Sequence, residues 1–84
     1  MPRKAEATAN TRLTGTQSIE RALTLVREIA AHNRGGSRLL DLATRTGLQR
    51  PTVHRMLKCL AAENMVQQDS DTHRYFLGPM VFEL

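Results

Sequence analysis

The chain has 84 residues and carries twelve Lys and Arg against eight Asp and Glu, for a formal net charge of +4. That length fits one small domain with a thin core, since a chain of this size buries only roughly 60–65% of its unfolded surface. A single cysteine, Cys59, excludes an internal disulfide scaffold, and no apolar run reaches the roughly 18–20 residues of a membrane span.

Residues 1–15 are small, polar and charged, and include Arg3, Lys4 and Arg12. Such a segment buries too little to offset its ordering entropy, so a flexible tail is expected. Ser18 then precedes Ile19, Ala22, Leu23, Val26, Ile29 and Ala30, which recur at steps of three and four. The spacing predicts an amphipathic helix with Ser18 as its N-cap, ended by Gly35 and Gly36. A shorter helix is expected over 38–45, with Ser37 as a possible cap and Leu39, Leu40, Leu42 and Ala43 as its apolar positions. Gly47 takes positive φ cheaply and suits a sharp turn, and Leu48 is placed to plug the core beneath it. A third helix opens at Gln49, Arg50 and Pro51, because proline is tolerated in a first helical turn. Val53, Met56, Leu57, Leu60 and Ala61 form its apolar stripe, and Asn64 closes it.

Beyond Asn64 the period changes. Residues 65–69 and 74–77 read as two short strands joined by a polar turn. Gly78 and Pro79 break the second strand, and residues 79–84 read as the start of another helix. The expected fold is therefore mainly α with a small β-hairpin. Three helices followed by a wing is the order of a winged helix-turn-helix, here assigned to residues 16–78.

Ten of the twelve cations are arginine, and a surplus of arginine in so small a domain points to a polyanionic partner. Their placement is more telling than their number. Between Asp41 and Glu63 there is no acidic residue, and the interval holds Arg45, Arg50, His54, Arg55 and Lys58. A duplex-facing surface must exclude carboxylates, because phosphates repel them. In the first turns of a helix entering the major groove, Gln49, Arg50, Thr52 and Arg55 are the candidates for base contact. Lys58, one turn further out, suits a phosphate, and His54 sits at the border of the two faces. His73 and Arg74 of the hairpin are placed to meet the backbone or the minor groove.

No phosphate-binding glycine loop, hydrolase motif or paired carboxylate site occurs, so the expectation is no enzyme and no cofactor. His32, His54 and His73 are scattered, with no second cysteine, and match no zinc pattern. RNA recognition on single strands would call for an aromatic platform that this composition lacks. The remaining alternative is a winged helix used for protein interaction or dimerisation. Met80, Val81, Phe82 and Leu84 form an apolar patch suited to self-association.

The ordered set of landmarks resembles the DNA-binding domain of IclR-type bacterial transcription regulators. They are Gln17, Ser18, Ile19, Glu20, Arg21, Ala22 and Leu23; then Leu42, Ala43, Thr46, Gly47 and Leu48. The run from Arg50 through Pro51, Thr52, Val53, His54, Arg55 and Met56 to Leu57 is the most specific, and Tyr75, Phe76, Leu77, Gly78 and Pro79 complete the set. The single cysteine fits a reducing, cytoplasmic setting. The resemblance implies a winged helix-turn-helix that binds double-stranded operator DNA as a homodimer or higher homo-oligomer, and the reading is a repressor. It gives the recognition role to Arg50, Thr52 and Arg55. It also implies that residues 79–84 begin a linker helix to an effector-binding domain absent from this chain, where a small molecule would bind. Three positions depart from the family pattern. Ser37 stands where an apolar strand residue is usual. Arg38 stands where a Ser or Thr cap is usual, which implies either a shifted helix start or a place for Arg38 near a phosphate. Gln49 stands where Pro is frequent, which suggests a part in operator preference.

Overall fold

The computed structural model describes residues 16–83, so the expected tail and the terminal Leu84 lie outside the described residues. Three helices come first: α1 Gln17–Ala31, α2 Leu39–Thr46 and α3 Arg50–Ala62. Strands β1 Val66–Gln68 and β2 Tyr75–Leu77 follow, and a short helix α4 spans Pro79–Glu83. The strands pair antiparallel with Val66 opposite Leu77, Gln67 opposite Phe76 and Gln68 opposite Tyr75. The expected winged helix-turn-helix is the observed fold.

The helix ends follow local chemistry. Helix α1 starts two residues earlier than Ser18 would set it; Thr16 is the N-cap by position, and its side chain makes no capping bond. At α2 the Asp41 carboxylate reaches back to accept the Arg38 backbone N–H at 3.1 Å. Arg38, a donor-only side chain, cannot return that bond to the helix. Gly47 ends α2 in the left-handed region at φ 76°, and its N–H donates to the Ala43 carbonyl at 2.9 Å. Gln49 caps α3 with Pro51 in its first turn. Asn64, at φ 61°, terminates α3. Met65 N–H donates to the Leu60 carbonyl at 2.9 Å and Asn64 N–H to the Ala61 carbonyl at 3.0 Å, which together make a Schellman end.

Ser37 is not a helix cap. Its backbone exchanges hydrogen bonds with Tyr75, N–H to carbonyl at 3.1 Å and the reverse at 2.8 Å. This isolated bridge adds a one-residue third strand beside β2. The linker between α1 and α2 is thereby pinned to the wing. A second tie comes from Asn33, whose side-chain oxygen accepts the Leu77 N–H at 2.7 Å.

Leu25, Ile29, Leu42, Ala43, Val53, Leu57, Val66 and Tyr75 form the core, with Leu39, Leu48, Met56, Leu60 and Leu77 packed around it. Leu48 therefore plugs the core as expected. The buried face of α1 is rotated from the expected stripe. Leu25 and Ile29 are fully buried, while Ile19 and Leu23 stand 60% and 51% exposed and Ala30 is also exposed. The reason is that α1 packs on α2 and β2 along one narrow line, and the sequence offers two apolar stripes to choose from. Leu40 (52% exposed) and Ala61 likewise point outward, because each of their short helices has only one side against the core.

Candidate nucleic-acid interface

Helix α3 divides its surface cleanly. At ~100° per residue, Val53, Leu57, Leu60 and Met56 share one arc and face the core. The opposite arc runs from Arg50 and His54 at one border, over Lys58 and Pro51 at the crown, to Arg55 and Thr52 at the other border. Arg50, Pro51, His54, Arg55 and Lys58 are all exposed, and Thr52 is half-buried. No acidic residue lies anywhere on this arc.

A cleft opens on each border. The first, about 430 Å³, lies between α3, α2 and the wing. It is lined by Arg38, Leu39, Leu40, Arg50, His54, Gln68, Thr72, His73 and Tyr75. The second, about 290 Å³, lies between α3 and α1 and is lined by Ser18, Arg21, Thr52, Arg55 and Met56. Neither cleft is lined by a carboxylate.

The wing turn is held by Asp69. Its carboxylate accepts the backbone N–H of Asp71 at 3.1 Å and of Thr72 at 2.8 Å. These bonds, with one from the Thr72 hydroxyl, hold the Asp69 carboxyl below its usual 3.8. The acid is thus committed to shaping the turn. His73 follows at φ 63°, a left-handed conformation that brings its ring to the edge of the wing cleft. At the base of that cleft, burial pushes the Tyr75 phenol above its ordinary 10.0.

The structure brings Arg38, Arg50, His54 and His73 together in one cleft, and Thr52 with Arg55 in the other. Gln49 and Lys58 are exposed outside both, at the start and on the crown of α3. Arg45 and Arg74 sit elsewhere. Arg45 turns back from α2, donating from Nη1 to Ser37 Oγ at 3.3 Å, close to His32 Nδ1 at 3.2 Å and to Glu28 at 3.9 Å. Arg74 is half-buried and donates to the Gly36 carbonyl at 3.4 Å. Several lining residues were not read as part of the site from the sequence, Arg21 and Leu40 among them. Arg21 lies on a helix whose role there is read as core, and Leu40 is counted there as apolar stripe; only the packing angle of α1 and α2 reveals them.

Comparison with known proteins agrees with this fold. The sequence model of the IclR helix-turn-helix domain matches residues 18–70. The chain is 39% identical over 71 residues to the glycerol operon regulatory protein of Streptomyces coelicolor, an alignment covering 81% of this chain and 26% of the relative. It is 35% identical over 68 residues to the HTH-type transcriptional regulator BhcR of Paracoccus denitrificans, covering 81% of this chain and 24% of the relative. Among solved structures, an IclR-type regulator from Alicyclobacillus acidocaldarius superposes with TM-score 0.74 at 30% identity, covering 80% of this chain and 27% of that one. HmgR from Pseudomonas aeruginosa superposes with TM-score 0.72 at 28% identity, covering 80% and 27%. The chain therefore spans about a quarter of the length of the curated relatives it matches.

Proposed function

The chain belongs to the IclR helix-turn-helix family of DNA-binding transcription regulators, and we propose that residues 16–78 are the part that reads a specific double-stranded operator. One observation carries this reading. The exposed arc of α3 is basic from border to border and is flanked by two clefts lined with cations and free of carboxylates. An α-helix fits the major groove, and a surface placed there meets phosphate on both sides. Arg50, Thr52 and Arg55 are assigned to base or near-base contact, with Gln49 beside them. Lys58, Arg38, His54 and His73 are assigned to the backbone. Arg45 and Arg74 are assigned to the fold, since both already hold intramolecular partners.

We further infer that two copies bind together. Ile19 and Leu23 stand out from α1, and Met80 from α4. Exposed apolar side chains of this size favour a protein contact. This is also the observation that favours a protein-interaction reading, and pairing between copies accommodates both. Residues 79–84 are assigned to the start of a linker helix, of which Pro79–Glu83 is helical. Repression by operator occupancy in the cytoplasm, under control of a small effector bound outside residues 16–78, is the regulatory reading; the relative of which the match covers 26% is long enough to carry such an effector-binding part.

Selection of bound sequences from a random duplex pool tests the function. The expected result is one enriched motif with two-fold-related halves. Salt-dependent binding without enrichment would leave a nonspecific binder, and no retention of duplex at all would remove the DNA reading.

A further inference from the structure

The α1 cleft is lined by Ser18 and Arg21 from one helix and by Thr52 and Arg55 from another. Arg21 and Arg55 are both exposed, and neither forms an ion pair or hydrogen bond among the described residues. Two arginines thus line one cleft with no carboxylate among its lining residues. Like charges gathered this way repel, and an anion between them relieves the repulsion. Arg21 and Ser18 on α1 are donors that suit a phosphate, since a guanidinium fork matches its oxygens and a hydroxyl adds a single donor, while Thr52 and Arg55 on α3 stand between that phosphate and the bases. Met56 supplies an apolar wall beside them. On the far border of α3 the wing cleft presents Arg38, Arg50, His54 and His73.

We propose that the α1 cleft is a phosphodiester seat, with Arg21 as its outer jaw, that holds the backbone of one DNA strand while the wing cleft holds the other. The inference rests on the reading of α3 as the helix that enters the groove. It follows from size: a helix about 10–12 Å across fills a major groove about 12 Å wide, so its two borders face phosphates of opposite strands. Arg21 is therefore a positioning residue. It fixes how deeply and at what roll α3 sits, and reads no base.

The test uses the full chain and a fluorescein-labelled duplex recovered by the selection. Arg21→Ala is expected to lower the salt slope by about 0.9, so that its deficit against the wild type shrinks about 3.5-fold as salt rises from about 50 to 200 mM. Arg21→Lys should keep the slope. Arg27→Ala removes an equal charge from the side of α1 shared with Glu20, Leu23 and Thr24, and should change nothing. Single neutral methylphosphonate substitutions then assign the strand. Arg21→Ala should be indifferent to substitutions on one strand, and Arg38→Ala to substitutions on the other. A wild-type slope in Arg21→Ala would overturn the seat, as would coupling of Arg21 and Arg38 to the same strand. A wild-type chain that binds no duplex would instead remove the reading of α3 beneath it. Circular dichroism melts identify any variant that has merely lost its fold.

Discussion

Arg45→Ala is expected to lower stability and leave the salt dependence of DNA binding unchanged. Ser37 has no exposed surface, and its hydroxyl oxygen accepts from Arg45 at 3.3 Å. That separation is long for a hydrogen bond, so the bond itself contributes about 0.5–1.5 kcal/mol. Truncating the arginine does more than remove the bond: it strands a buried oxygen, which costs about 1–3 kcal/mol. The Glu28 contact at 3.9 Å joins side chains 28% and 31% exposed, and solvent screening holds its contribution to about 0–1 kcal/mol. The expected loss is then roughly 1–3 kcal/mol, and each kcal/mol lowers the melting midpoint of a domain this size by roughly 4–8 °C. Ser37→Ala should cost less, because Arg45 keeps His32 and Glu28. Combining the two removes the stranded oxygen, so the double variant should be more stable than Arg45→Ala alone. Thermal melts of the four proteins give the cycle, and anisotropy titrations at several salt concentrations give the slope. An unchanged midpoint in Arg45→Ala, with a slope lowered by about 1, would refute the structural assignment and make Arg45 a phosphate contact.

Three further outcomes are expected. Gly36→Ala places a Cβ 2.6 Å from Phe76 Cζ and 2.9 Å from Arg74 Cβ at φ +82°, so urea melts should show a loss greater than about 1 kcal/mol, and a smaller loss would mean the turn relaxes freely. Tyr75 is held protonated by burial. Its folded value lies above the unfolded one, so its contribution is whole below about pH 10 and falls as pH climbs through the folded value. Melting midpoints should decline there for the wild type and less for Tyr75→Phe, and parallel curves would contradict the assignment. Repeating the duplex selection with Arg50→Ala should show relaxed base preference, whereas Lys58→Ala should weaken all sequences alike; equal, uniform losses would make both residues phosphate contacts.

The order of elements was legible because each boundary carries its own chemistry: Gly47 at a left-handed position, Pro51 in a first turn, Asn64 at a helix end. The exposed basic arc of α3 was legible too, since Val53 and Leu57 fix which side of α3 is buried and the cations follow by rotation. What could not be read was which of two apolar stripes α1 would bury. Ile19 and Leu23 match the helical period as well as Leu25 and Ile29 do, and only packing against α2 and β2 decides between them. Arg21 and Leu40 were missed for that same reason. Ser37 was misread because a serine before a helix favours capping locally, whereas its backbone is drawn into a bridge with Tyr75, 38 residues further along the chain.

The charge of the domain also divides by structure into parts with different work. Arg45 ties α2 to the buried strand residue Ser37, and Arg74 ties the wing to Gly36. Both cations hold in register the frame on which the exposed ones stand. Val53 and Leu57 anchor α3 in the core shared with Leu25, Leu42 and Val66, so the two clefts keep a fixed separation across the helix. A duplex can satisfy both only at one depth and roll. On the proposed docking, base preference at Arg50 and Thr52 would depend on residues that touch no DNA, because loosening the core would let α3 tilt and each side chain meet more than one base edge.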